Sequence, residues 1–144
     1  MVDQNYKENS QAVQAHLGIT QSVIQRMASN SASCKAWSIT LVSAILVIVA
    51  NKGKPEYTLI AFIPSILFLA LDTYYLALEK MFRESYNTFI RKLHSGEIVA
   101  SDLYAVVPHG NLYVTFFKSL LSFSIWPFYL TLIFMIFLTK LIVI

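Results

Sequence analysis

Long apolar runs alternate with short polar punctuation along this chain, and within the polar parts the spacing is helical. Val13, Leu17, Thr20, Ile24, Met27, Ser31 and Cys34 recur at steps of three and four, which places them on one helical stripe. Gln14, Gln21, Gln25 and Arg26 turn largely elsewhere, and Gly18 loosens the helix at one point. Residues 1–30 are therefore expected to hold an amphipathic helix that packs on a partner, packs on its own copies or lies in a membrane interface. A partly ordered tail is the plainer alternative.

From Ala36 the chain turns apolar. Residues 36–50 alone give about 22 Å of helix, short against a hydrocarbon layer of about 30 Å. A first span is thus expected at residues 31–50, with Lys35 snorkelling to the headgroups and Trp37 at the interface. Small residues stand at every fourth position: Ala28, Ala32, Ala36, Thr40 and Ala44. In lipid such a ladder lets helix backbones approach closely, so it marks a helix contact or a pore wall. Alanine is common in any membrane helix, which is the plainer reading.

A turn at Asn51–Glu56, with Gly53 in it and Pro55 suited to a first helical position, leads to a second span at 57–78. Pro64 is expected to bend that span. The apolar run passes without a break into a charged helix at 79–95, ending at Ser95-Gly96. Asp72, Tyr75, Glu79, Arg83 and Tyr86 step by three and four on one face of it. An ionisable residue at the inner end of an apolar run is costly to bury, so Asp72 and this stripe are candidates for gating or coupling. Simple anchoring of the helix in interfacial water is the alternative.

Residues 96–118 read as a loop broken by Pro108 and Gly110, and 119–144 as a third span bent at Pro127. Two re-entrant pieces meeting at Pro127 form the less simple topology, since their backbone needs cover. The expected fold is an all-α membrane protein with three transmembrane helices per subunit, an amphipathic N-terminal helix and an extension of the second span beyond the bilayer.

Composition agrees. Hydrophobic residues make up 56% of the 144 and charged residues 13%, with a mean hydropathy of +0.58, far from an ordinary soluble mixture. With three spans, Lys7, Arg26, Lys35, Lys80, Arg83, Arg91, Lys92 and Lys118 share one side and Lys52, Lys54 and Lys140 the other. That excess places the N terminus in the cytoplasm and the C terminus outside. The formal net charge of +3 is too small and dispersed for stable nucleic-acid binding. One cysteine, Cys34, excludes an internal disulfide and any multi-cysteine metal site. His16, His94 and His109 are far apart, and neither a phosphate loop nor a carboxylate pair is present, so no enzyme, metal or cofactor is expected.

Several local combinations stand out: His16-Leu17, Ile24-Gln25-Arg26-Met27-Ala28, Leu71-Asp72 with Tyr74-Tyr75-Leu76, Glu79 with Phe82-Arg83 and Tyr86, and Trp126-Pro127-Phe128-Tyr129. Together they resemble a family of small bacterial three-span membrane proteins with an Asp-Tyr-Tyr/Glu-Phe-Arg helix motif. That family is similar to the channel domains of anti-phage defence effectors of the Hailong type. The resemblance spans nearly the whole chain. It implies a homo-oligomeric channel, a tetramer favoured, in the bacterial inner membrane, whose opening arrests growth on a nucleotide or DNA signal or through a cognate sensor protein. Those effectors can carry a separate ligand domain, and none is expected within these 144 residues. The expectation is a channel-forming effector; a non-conducting membrane anchor or adaptor for a cytoplasmic partner and a phage holin are the alternatives.

Overall fold

The structure is a computed structural model that describes residues 8–143, with side chains to residue 142. Expectations that fall on residues 1–7, the position of Lys7 among them, lie outside the described residues. Helix α1, Gln11–Lys52, runs unbroken for 42 residues through both the polar stripe and the first apolar run. At about 1.5 Å per residue it is about 63 Å long, twice the roughly 30 Å of a hydrocarbon core. One helix thus carries both an apolar half and a polar half.

The ends of α1 and of its partner are set by glycines in the left-handed region. Gly53, at φ 59°, donates back to Val49 and Ala50 and closes α1. A 3-10 segment, Pro55–Ala61, turns the chain, and helix α2, Phe62–Ser95, returns antiparallel for 34 residues. Pro64 therefore lies in the first turn of α2 and does not bend the middle of a span. The chain changes from 3-10 to α winding just before this proline. Gly96, at φ 74°, ends α2 in a Schellman arrangement: Glu97 donates to Lys92 at 3.0 Å and Gly96 to Leu93 at 3.2 Å.

Short helix α3, Ala100–Tyr104, and helix α4, Leu112–Leu120, follow, and the chain finishes in α5, Trp126–Val143. The last apolar segment is thus not one bent helix. It breaks in a turn after Leu120 and restarts at Trp126, because Pro127 is accommodated in a first turn more cheaply than in a helix interior. Among the described residues there is no strand.

Two apolar cores divide the molecule. Val42, Leu46, Ala61, Leu76, Ile125, Tyr129, Leu132 and Ile136 join α1, α2 and α5. Phe62 and Phe137 meet edge to face at 5.6 Å, so α5 runs antiparallel to α2. At the opposite end Val13, Phe89, Leu93 and Ile98, with Leu17 and Leu103, join α1, α2 and α3. The N-terminal stripe finds cover within the chain: Val13 is buried in this second core, and Thr20, Ile24 and Met27 are buried further along α1. Around the first core the outer surface stays apolar, with Trp37, Val47 and Ile48 on α1, Ile63 and Ile66 on α2, and Phe134 and Leu141 on α5 all exposed. Two helical stretches, Gln11–Lys52 and Pro55–Ser95, are long and apolar enough to cross a membrane.

Candidate functional site

On the flank of the first core, beside its Leu76 and Tyr129, lies a polar cluster built on Asp72, whose side chain is 0% exposed. Helix α1 brings two residues to it from one face, four apart. Lys35 Nζ stands 2.6 Å from Asp72 Oδ2, and Ser31 donates its hydroxyl to Asp72 Oδ1 at 2.5 Å. Lys35 also donates to Ser31 Oγ at 3.3 Å, so the three side chains close a triangle. Small residues on the same stripe, Ser31, Cys34 and Ser38, are all buried and let α1 come close to α2.

Tyr129 reaches the cluster from α5, with its hydroxyl buried near Asp72 and Cys34. Neither that hydroxyl nor Ser38 Oγ has a hydrogen-bond partner among the described residues. Elsewhere in the apolar half the hydroxyls of Thr40, Ser65, Thr73, Thr131 and Thr139 each donate to the carbonyl four residues back. The buried hydroxyls of Thr58 and Ser119 are likewise without a partner among the described residues, so of these groups Tyr129 is the one that stands beside Asp72.

The arrangement can hold a charge pair in a low-dielectric seam. A carboxylate stripped of water is costly, and an ammonium at hydrogen-bonding distance with a hydroxyl beside it offsets much of that cost. Removing either partner leaves the other stranded, so the pair fixes the register of α1 against α2 and responds strongly to any movement between them.

The residues named from the sequence are placed as follows. Asp72 is in the cluster. Tyr75, Glu79, Arg83 and Tyr86 are not gathered around it. Glu79 and Arg83 form their own pair at 2.8 Å, with Arg83 60% exposed. Buried positions on α2 instead step by four through Thr73, Ala77 and Met81 and on to Phe89 and Leu93. Lys35 does not snorkel outward, because Asp72 lies within its reach and gives the ammonium a partner where lipid gives none. Of the small-residue ladder, Ala28 is half-buried while Ala32, Ala36, Thr40 and Ala44 are exposed, so nothing among the described residues covers that face.

A second feature lies in the polar half. His16 is buried and stacks on Phe89 with ring centroids 4.2 Å apart, and its Nδ1 lies 3.2 Å from the Leu103 carbonyl. Lys92 and Asp102 pair at 2.9 Å beside it. The Lys92 hydrogen bond, with a smaller contribution from the Val99 amide, holds the Asp102 carboxyl below the usual carboxylate range against the opposing effect of burial. His16, Phe89, Lys92 and Asp102, with Thr20 and His109, line a cleft of about 170 Å³. Histidines far apart in sequence are thus brought to one place, which their spacing gave no means of seeing. No protein-family model, curated protein or solved structure matches the chain.

Proposed function

We propose that the chain is one subunit of an oligomeric inner-membrane channel that acts as an effector, leaking ions and arresting growth when it opens. The observation that carries this reading is the Ser31–Lys35–Asp72 triangle at the junction between an apolar half and a polar half of the same helix pair. A charge pair in that position couples movement of the cytoplasmic helices to the spans, because sliding α1 on α2 breaks it. In this reading α1, α2 and α5 each cross the membrane. Helix α5, of 18 residues, rises about 27 Å, close to one hydrocarbon thickness.

Three helices enclose no path on their own, so several copies, a tetramer favoured, surround the pore. The uncovered Ala32, Ala36, Thr40 and Ala44 face is the side offered to a neighbour or to the pore. Thr40 already donates to the Ala36 carbonyl at 2.8 Å, which suits close packing. Asp72 carries the coupling, and the Glu79–Arg83 pair with Tyr75 and Tyr86 forms the cytoplasmic surface through which neighbours or a sensor act. The N terminus is cytoplasmic and the C terminus periplasmic by the distribution of Lys and Arg. A role in anti-phage defence, with a nucleotide or DNA signal or a cognate sensor protein, rests on the family resemblance.

A non-conducting anchor for a cytoplasmic partner is favoured by one observation. Tyr104 is 89% exposed and Val107 64% exposed on the segment that covers the cleft, which is apolar surface offered at the cytoplasmic end. Purified protein in nanodiscs and liposomes separates the two readings. A ring of subunits with ion flux supports the channel; a monomer or two-fold dimer without flux overturns it.

A further inference from the structure

At the hairpin end of the bundle, away from the Asp72 cluster, a groove of about 270 Å³ opens between the last turns of α1 and the 3-10 segment. Its walls are Ile45, Ile48, Val49, Tyr57 and Ile60, and Lys52 stands at its rim. Ile45 to Lys52 spans about 10 Å along the helix at about 1.5 Å per residue, so the groove is elongated along the bundle axis. Ile48 and Ile60 are exposed, so it opens on the apolar outer face that surrounds the first core.

The rim is cationic. Lys54 Nζ lies 5.7 Å from the centroid of the Tyr57 ring, which draws this second ammonium toward the groove mouth. Neither Lys52 nor Lys54 takes part in an ion pair among the described residues, although Glu56 is on the same hairpin. An apolar slot in line with the bilayer, with two ammonium groups where the headgroups begin, has the charge pattern of a phospholipid reversed in sign.

We infer that this groove seats one anionic phospholipid, its acyl chain along Ile45 and Ile60 and its phosphate between Lys52 and Lys54. A zwitterionic lipid offers the same phosphate but brings its own cation to the same two lysines, so the site discriminates by charge. A second copy of the chain fits less well: at this rim each copy brings Lys52 and Lys54 against a single Glu56, leaving a net positive contact. The inference rests on the membrane placement of the helix pair and goes beyond the channel reading, since it holds for a conducting or a non-conducting protein.

The test uses the full chain in detergent micelles doped with equal phosphatidylglycerol and phosphatidylcholine, with bound lipid counted by native mass spectrometry. The expected result is a preference for phosphatidylglycerol of about fivefold for each lysine that engages the phosphate, following roughly 1 kcal/mol per basic residue near an anionic headgroup. Lys52→Gln with Lys54→Gln brings the preference close to unity. Ile60→Trp, which fills the slot and keeps both charges, abolishes it as well. Loss with the glutamines but not with the tryptophan means diffuse surface attraction and overturns the site. No preference, or a change in subunit number with Ile60→Trp and no lipid preference, overturns it too. Flotation of the wild type with liposomes of phosphatidylcholine alone is run beside it: failure to float removes the membrane placement, whereas flotation without preference removes only the lipid site.

Discussion

Helix α2 carries two acid–base pairs two turns apart, and they differ in almost everything but chemistry. Asp72 with Lys35 joins two helices, and its carboxylate is 0% exposed. Glu79 with Arg83 lies along one helix, its carboxylate 13% exposed and its guanidinium 60% exposed. In water the Coulomb gain of such a pair is screened and partly cancelled by side-chain entropy, so the second pair contributes a few tenths of a kcal/mol. Buried, the same attraction is large, but so is the cost of stripping both charges of water, and the net depends on both partners being present. The first pair is therefore a constraint on how two helices pack, while the second lies within one helix with its guanidinium in water.

The largest expected effect follows from stranding the buried carboxylate. Lys35→Met leaves Asp72 without its cation and is expected to lower unfolding stability in detergent by about 3–5 kcal/mol, read from the shift of the denaturant midpoint. Removing both charges in Lys35→Met with Asp72→Leu is expected to recover most of that loss, to within about 1 kcal/mol of wild type or better. Additive losses would mean that the two side chains are not a pair, and the contrast with Glu79–Arg83 would collapse. Asp72→Leu alone should cost less than Lys35→Met. Lys35, 22% exposed, has a long stem with which to reach the headgroups once its partner is gone, and insertion should be unchanged.

A smaller effect is expected at the cleft. The folded-state pKa of Asp102 is depressed, so its contribution is present at neutral pH and lost only as pH falls through that lowered value. Helix α3 should thus stay docked through mildly acidic pH and loosen only in strong acid. Lys92→Gln is expected to remove under about 1 kcal/mol and to flatten that acid dependence, measured by hydrogen exchange over residues 100–104. Smallest of all is Glu79→Gln, expected to shift stability by about 0.5 kcal/mol or less and to be erased by high salt. A loss comparable to that of Lys35→Met would show that the exposed pair is structural after all.

Much of the helix layout is legible in the sequence because it depends on local periodicity. The Val13 to Cys34 stripe is the buried face of α1, and Gly53 and Gly96 end the helices as their conformational freedom dictates. Prolines misled the reading of the spans: a proline in an apolar run looks like a kink, but Pro64 and Pro127 both sit where helices begin. Asp72 stood out because burial of a charge is costly anywhere. Its partner did not, because Lys35 and Asp72 are brought together only by the hairpin.

A register count could have found that partner. Measured from Gly53, Lys35 lies 53 − 35 = 18 residues before the turn and Asp72 lies 72 − 53 = 19 after it, so an antiparallel hairpin sets them side by side. Of the Asp72, Tyr75, Glu79, Arg83 and Tyr86 stripe Asp72 is the fully buried member, for a related reason. Steps of three and four define a face of an isolated helix, whereas the buried face of α2 follows α1 and α5 in steps of four. The cleft at His16 was invisible for want of any local pattern, since Leu103 and Asp102 reach it from across the chain.

The coupling role of the buried pair is tested most directly by ion flux from liposomes holding equal amounts of wild type and of the Lys35→Met, Asp72→Leu double variant. Stability is then nearly matched, so a change in flux reports gating and not folding. The account predicts low basal flux in the wild type and a severalfold rise in the double variant, because the seam no longer resists sliding of α1 on α2. Equal flux from the two, or none from either under every condition that activates the wild type in cells, would contradict it.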